Sequence, residues 1–228
     1  MSDFYRFPHI PHLAWFGVGK PRDDKVLSAT ETGALLSADL VVEEKLDGAN
    51  LGLSIGNDGR VRAQSRGQYL ETPYSGQFSR LGSWVAAHEE RLFIALGEHL
   101  IAFGEWCAAR HSIEYTALPD WWVLFDIYDK VDRRFWSTTR RDAWAGEVGV
   151  PTVAAVLRGR ASLLDLEALL ATEKSIYRDG PMEGLIVRVE DENWLGDRAK
   201  LVRADFTQSI DAHWRTRHLE WNRLRLLA

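Results

Sequence analysis

A lysine followed two residues later by an Asp-Gly pair is the feature of this sequence best suited to covalent chemistry. Lys45 lies in the stretch Glu-Lys-Leu-Asp-Gly-Ala-Asn at residues 44–50, directly after the apolar run 40–42 and before the apolar segment 51–55. A lysine held between two strands can act as a nucleophile, because a packed site can lower the pKa of its ammonium group. The same spacing also arises by chance, so its meaning depends on the partners that the rest of the chain supplies.

Later segments place charged residues beside predicted strands. Arg66 follows the second strand of a predicted hairpin. Glu105 ends one buried strand and Glu183 begins another. Lys200 and Arg203 lie three positions apart near the end of a further strand. Taken singly, each is typical of a turn, a solvated acid or a surface cation.

The elements that must position these residues follow from apolar periodicity and turn residues. Asn-Asp-Gly at residues 57–59 predicts a hairpin between strands at 51–55 and 60–65. Further strands are predicted at residues 100–103, 121–128, 184–189 and 199–202. Helices are predicted at residues 79–96, from Ser137 to about 148, from Ser162 onward, and over a C-terminal segment of about 206–227. Strands mixed with helices, without a regular βαβ rhythm, favour an α+β fold of mainly antiparallel sheets flanked by helices.

Composition narrows the class of protein. The chain has 228 residues with 46% hydrophobic content, enough for one substantial core, and we predict a single domain over residues 1–228. One cysteine, Cys107, excludes an internal disulfide and a multi-cysteine zinc site, and favours a cytoplasmic setting. The sequence shows no signal peptide and no apolar stretch long enough to span a membrane. We therefore predict that the protein does not associate with a membrane. A net charge of -5 argues against strong non-specific binding to nucleic acid. It does not argue against a local basic groove.

The order of the charged motifs is more specific than any one of them. The chain reads Lys-x-Asp-Gly, Ser-Arg-Gly, Phe-Gly-Glu, an aromatic-Asp strand, Glu-Gly-Leu-Ile-Val-Arg and Lys-Leu-Val-Arg. This set resembles the covalent nucleotidyltransferase superfamily of polynucleotide ligases and messenger-RNA capping enzymes. Within it, Glu44, Asn50 and the stretch 200–214 look most like the ATP-dependent RNA ligases. The resemblance covers about residues 40–215, with the motifs at about 40–203.

The resemblance implies a nucleotidyltransferase (ATP-grasp-like ligase) core and a role for each motif. Lys45 would attack the α-phosphorus of ATP, while Mg²⁺ or Mn²⁺ and cations such as Lys200 neutralise the phosphates. Burial, the metal and the cations Lys200 and Arg203 are expected to lower the pKa of Lys45. The implied catalytic residues are Lys45, Asp47, Glu183 and Lys200, with Glu183 also near the metal. The residues implied to bind ATP are Glu44, Lys45, Asn50, Arg66, Glu105, Phe125, Glu183, Lys200 and Arg203.

Individual contacts with the nucleotide also follow from the resemblance. Phe125 would stack on adenine, although plain core packing accounts for it equally well. Glu44 would read the adenine amine through its side chain or neighbouring backbone. Glu105 would accept hydrogen bonds from the ribose hydroxyls, and Arg66 would hold a phosphate or the ribose.

The predicted function is an ATP-dependent RNA ligase that joins 3'-hydroxyl and 5'-phosphate RNA ends through lysyl-AMP and an adenylated 5' end. One alternative is a minimal DNA or RNA/DNA-hybrid nick-sealing ligase. Another is a non-catalytic nucleic-acid-binding relative, although such a chain is expected to have lost some of the motif residues. A Schiff-base lysine accounts for none of the other motifs.

The sequence departs from the family pattern in two places. Lys200 and Arg203 form Lys-x-x-Arg where many relatives have Lys-x-Lys, so the role of Arg203 transfers less securely. The motifs end by residue 203, which leaves no room for the OB-fold of DNA ligases and predicts a minimal core. A separate nucleic-acid-binding or end-processing partner is an alternative that the sequence leaves open. The C-terminal segment is expected to pack its tryptophans as an amphipathic helix, or to contact phosphate. Surface positions or site contacts are expected for His9, His12 and Lys20.

Overall fold

The protein is built on two antiparallel sheets. The computed structural model describes residues 4–17, 21, 25–209 and 219–226. The strands in this part of the chain are β1 (Leu40–Lys45), β2 (Ala49–Ile55), β3 (Val61–Gln64), β4 (Leu100–Trp106), β5 (Trp122–Asp129), β6 (Arg134–Phe135), β7 (Ala155–Gly159), β8 (Gly184–Glu190) and β9 (Leu195–Val202). The α-helices are α1 (Ala29–Leu36), α2 (Leu81–Leu96), α3 (Thr138–Val148), α4 (Leu163–Thr172) and α5 (Ala204–Ser209).

The strand order is β7-β1-β8-β9 in one sheet and β3-β2-β4-β5-β6 in the other. Neighbouring strands pair antiparallel throughout both sheets. Helices α2 and α3 pack on the outer face of the five-stranded sheet through buried residues such as Trp84 and Trp144. Helices α1 and α4 cover the four-stranded sheet through Leu35, Leu166 and Leu170. The predicted α+β class with mainly antiparallel sheets is therefore confirmed.

Local sequence signals explain where the elements begin and turn. Gly59 has φ 74° in the β2–β3 turn, a left-handed conformation that glycine adopts without strain, and the predicted hairpin is confirmed. The Ser137 side chain accepts from Arg140 N and caps α3. Ser162 and Asp165 form a complete capping box at α4. No helix in the described ranges is long and apolar enough to cross a membrane.

The helix predicted over residues 206–227 is confirmed for residues 206–209 and is wrong for residues 219–226. Helix α5 covers residues 204–209, and residues 219–226 carry no helix or strand, only two isolated bridges. Trp221 forms an isolated antiparallel bridge with Ala109, and Leu224 a parallel one with Leu118. Backbone hydrogen bonds to the loop 107–118 therefore replace those of a helix. Residues 210–218 and 227, which include Trp214, lie outside the described residues.

The N-terminal segment joins both sheets. Lys200 N donates to Pro11 O at 2.8 Å, and Leu13 N donates to Lys200 O at 2.8 Å, so this segment extends the edge of β9. On the other sheet, Gln64 Nε2 donates to Tyr5 O at 2.8 Å. His12 is 5% exposed, so the surface position expected for it is wrong, while His9 is exposed. Lys20 lies outside the described residues.

Candidate functional site

A cavity of about 380 Å³ lies between the two sheets, under the N-terminal segment. Its walls come from both sheets and include Phe7 of that segment. The fold thus brings together most of the residues implied to bind ATP. Those that line the cavity are Glu44, Lys45, Asn50, Arg66, Glu105, Phe125 and Lys200.

Lys45 is the last residue of β1 and its side chain is one quarter exposed. Strand register places it opposite Gly184, so Glu183, one residue before β8, reaches the lysine. The distances from Lys45 Nζ to Glu183 Oε1 and Oε2 are 2.7 and 2.8 Å. A Cβ on Gly184 would lie 2.4 Å from Leu201 O, so only glycine lets the strands close at this point.

The charges around Lys45 reverse the expectation for its pKa. Burial lowers the pKa of Lys45, but the carboxylates of Glu183, Glu105 and Asp47 outweigh that effect and raise it above the ordinary value. The predicted lowering is therefore wrong for the ligand-free protein. Burial in turn raises the pKa of Glu183 and that of Glu105 to about 7 each, against the lowering effect of the lysine. Both carboxyls therefore take up protons more readily than ordinary glutamates do.

Glu105 fixes the turn that follows the lysine. Its Oε1 accepts from Gly48 N at 2.9 Å, and register places it opposite Asn50 of β2. A Cβ on Gly48 would lie 2.6 Å from Trp106 O and 3.1 Å from Cys107 Sγ. The glycine of the Asp-Gly pair is thus needed for close approach of the turn to β4.

Replacing Gly48 by alanine is expected to destabilise the protein by about 1–3 kcal/mol, because the added methyl meets a backbone carbonyl that cannot move aside freely. Gly146→Ala is the matched control: no atom lies within 4 Å of a Cβ there, and alanine is favoured inside a helix such as α3. Urea unfolding of both variants measures the difference. Equal midpoints would contradict the close approach at Gly48.

A β-bulge directs Phe125 into the cavity. The β4–β5 register shifts between Phe103 and Gly104, which pair with Asp126 and Leu124, so Phe125 is the extra residue. As a result two consecutive residues, Phe125 and Asp126, both line the cavity. Arg141 Nη1 donates to Phe125 O at 2.8 Å and satisfies the carbonyl that the bulge leaves unpaired. Sequence periodicity alone gave no sign of this bulge.

A buried ion cluster, which the sequence did not predict, adjoins the cavity, and three of its members, Glu43, Asp126 and Arg188, line it. It joins Glu43, Asp126, Arg141, Arg188 and Arg198, each no more than 7% exposed in its side chain. Arg141 Nη2 lies 2.7 Å from Glu43 Oε1, and Arg188 Nη1 lies 2.9 Å from Asp126 Oδ1. Arg198 also pairs with Asp126. These contacts tie the two sheets together, and charged residues in the middle of apolar strands were the available signal.

Two of the implied site residues have their side chains engaged elsewhere. Asp47 Oδ2 accepts from Ser112 N at 2.7 Å and Ile113 N at 2.9 Å, so this carboxylate anchors a neighbouring loop. Arg203 does not line the cavity; its Nε lies 3.1 Å from Asp205 Oδ1. Glu183 is not among the residues that line the cavity, but its carboxylate pairs with Lys45, which is.

The cavity offers unpaired acceptors together with cations, as a nucleotide requires. Asn50 Oδ1 and Glu44 Oε1 are buried and have no hydrogen-bond partner in the part of the chain that the structure describes. The other oxygen of Glu44 accepts from Ile176 N at 3.2 Å. No group of three or more metal-ligating side chains occurs among the described residues. A metal ion here would therefore rely on oxygens other than those of a protein cage.

Solved structures share this fold. The RNA ligase of Naegleria gruberi with PPi aligns with a TM-score of 0.61 and 17% identity over 90% of this chain and 64% of that one. A putative ATP-dependent DNA ligase from Aquifex aeolicus aligns with a TM-score of 0.57 and 20% identity over 91% of this chain and 52% of that one. An archaeal ATP-dependent RNA ligase aligns with a TM-score of 0.57 and 19% identity, over 86% and 48%. The fold is thus that of nucleotidyltransferase-type ligases, and the chain spans less than two thirds of each of these proteins.

A family model described as RNA ligase matches residues 38–202. The chain therefore belongs to the RNA ligase family. No curated protein sequence matches it.

Proposed function

We propose that this chain is an ATP-dependent RNA ligase that joins 3'-hydroxyl and 5'-phosphate ends through lysyl-AMP and an adenylated 5' end. The observation that carries the proposal is Lys45 at the cavity wall, bonded to Glu183 and sharing the cavity with Arg66 and Lys200. Membership of the RNA ligase family over residues 38–202 supports the reaction class. Structures of the Naegleria ligase with ATP and Mn, and with AMP and Mn, support ATP and a divalent metal.

In the proposed first step, the neutral amine of Lys45 attacks the α-phosphorus of ATP. A P–N bond forms, the bond from that phosphorus to the α,β-bridging oxygen breaks, and pyrophosphate leaves with the electron pair. The ammonium must first lose a proton. Glu183 is proposed to accept it, since its carboxylate lies 2.7 Å away and has a pKa of about 7, closer to working pH than an ordinary glutamate. Arg66 and Lys200 are proposed to stabilise the charge on the phosphates.

The nucleoside contacts are proposals on the same basis. Phe125 stacks on adenine, Glu44 accepts from the adenine amine, and Glu105 with Asn50 binds the ribose. The unpaired Oε1 of Glu44 and Oδ1 of Asn50 support these assignments, because a buried acceptor without a donor is costly. Arg203 donates to Asp205 and to Leu170 O, so to bind a phosphate it would have to give up bonds that it makes in this structure.

Mg²⁺ or Mn²⁺ supplies charge neutralisation on the phosphates when bound. Glu183 is the residue that is proposed to hold the ion, and its carboxylate would supply an oxygen of the kind that magnesium prefers. In the two later steps a 5'-phosphate on RNA attacks lysyl-AMP, which frees Lys45. A 3'-hydroxyl then attacks the adenylated end and releases AMP.

The wider setting is proposed from composition. One domain in a reducing cytoplasm accords with a single buried cysteine, Cys107. A net charge of -5 supports a separate nucleic-acid-binding partner. Nicks in DNA or in RNA/DNA hybrids are the alternative substrates. The similar fold of the Aquifex protein, a putative DNA ligase, supports this alternative.

The decisive experiment follows label from ATP into denatured protein in the presence of Mg²⁺ or Mn²⁺. Label on the α-phosphate is expected to stay bound, and label on the γ-phosphate to leave as pyrophosphate. A P–N bond is cleaved by acid and survives base, which separates lysyl-AMP from a carboxyl adduct. Absence of any adduct under varied metal and pH would favour the non-catalytic alternative. Sealing assays on single-stranded RNA, nicked RNA and nicked hybrids then identify the substrate.

A further inference from the structure

The turn after Lys45 is held by hydrogen bonds that converge on Asp47. Its backbone N–H donates to Tyr115 Oη at 2.8 Å. Its carboxylate accepts from Ser112 N and Ile113 N. Together with the bond from Gly48 N to Glu105, these contacts fix the backbone two and three residues beyond the lysine.

The loop that carries Tyr115 is held in turn by one buried residue of the C-terminal segment. Asn222 is 3% exposed. Its Oδ1 accepts from Tyr115 N at 2.8 Å, and its Nδ2 donates to Cys107 O at 2.8 Å and Ala109 O at 3.2 Å. The amide therefore uses its acceptor and its donors at once, a combination that neither a carboxylate nor a hydroxyl reproduces.

We propose that Tyr115 and Asn222 are positioning residues for the reaction at Lys45. The chain of contacts runs from Asn222 to the backbone of Tyr115, from the Tyr115 hydroxyl to the backbone of Asp47, and so to the turn that carries the nucleophile. This inference rests on the proposed function, since it concerns how the amine is held against phosphorus. Small displacements of a reacting group cost large factors in rate.

A substitution of Tyr115 by phenylalanine removes the hydroxyl group and keeps the packing of the ring. The ring is 1% exposed and packs with Leu46 and Ile113, contacts that phenylalanine would keep. Burial raises the pKa of Tyr115 well above its ordinary value, so the phenol stays neutral at any working pH. In the part of the chain that the structure describes, the hydroxyl oxygen accepts from Asp47 N–H.

The test compares Tyr115→Phe, Asn222→Ala and the double variant with wild type in single-turnover formation of lysyl-AMP. At saturating ATP each single variant is expected to be about 10–100-fold slower, with the half-saturating ATP concentration changed less than about threefold. The double variant is expected to be slower by less than the product of the two factors, because both residues act along one path. Glu220→Ala, which removes only an exposed pair with Arg110, is the matched control and is expected to keep the wild-type rate.

Amide hydrogen exchange supplies a readout that does not depend on activity. Tyr115→Phe is expected to speed exchange at Asp47 N–H and to leave the strands β4 and β8 protected. A wild-type rate in Tyr115→Phe, a change confined to the ATP dependence, multiplicative effects in the double variant, or unaltered exchange at Asp47 would each overturn the inference. A wild-type protein that forms no adduct contradicts the proposed function instead, and the exchange result then still decides whether Tyr115 holds the turn.

Discussion

Lys45→Met is expected to abolish transfer of α-label from ATP to the protein, because the side chain that forms the P–N bond is gone while its apolar stem is kept. Without the ammonium, Glu183 and Glu105 lose the charge that lowers their pKa, so both carboxyls take up protons more readily and the fold tolerates the change. Intact mass after incubation with ATP and Mg²⁺ measures the outcome.

The matched control is Lys25→Met. Lys25 is also paired with a glutamate, Glu31, but its side chain is 61% exposed and lies away from the cavity. This variant is expected to form the adduct at the wild-type rate. Adduct formation in Lys45→Met, or equal loss in both variants, would show that another residue is the nucleophile or that the assay reports a general loss of folding.

Asp126→Ala is expected to destabilise the protein by about 3–5 kcal/mol, because it leaves the guanidinium groups of Arg188 and Arg198 buried without their shared carboxylate. For a chain of this length the melting temperature is expected to fall by roughly 6–20 °C. Thermal unfolding at constant salt and pH measures the change.

Asp39→Ala is the control for this prediction. Asp39 also faces an arginine, Arg160, at 3.4 Å, but the two side chains are 80% and 73% exposed. An exposed pair of this kind contributes about 0–1 kcal/mol. Equal melting temperatures for Asp126→Ala and Asp39→Ala would show that the buried ion cluster does not stabilise the contact between the two sheets.

Two kinds of sequence signal agree with the structure: the ordered family motifs, and the turn and cap residues. The order of motifs around Lys45, Glu105, Glu183 and Lys200 predicted residues that the fold brings to one cavity or into contact with its lysine. The hairpin and the capped helices were likewise predicted, because turn and cap residues act within a few positions.

The features that were missed depend on contacts between distant parts of the chain. Asp126 meets Arg198 across 72 positions, and Asn222 meets Tyr115 across 107. The helix expected over residues 219–226 failed for the same reason: its apolar spacing fits a helix, but backbone bonds to residues 108–118 satisfy the chain instead. The pKa of Lys45 was misjudged because the sequence did not reveal how closely three carboxylates surround it.

The N-terminal segment has a consequence for motion. It is bonded to Lys200 in one sheet and to Gln64 in the other, so separating the sheets would require breaking one of these attachments as well as the ion pairs between the sheets. We therefore expect that the two sheets can move apart only together with release of this segment from one of them. Protease cleavage within residues 4–13 is expected to require release of the segment, and bound nucleotide is expected to slow that cleavage.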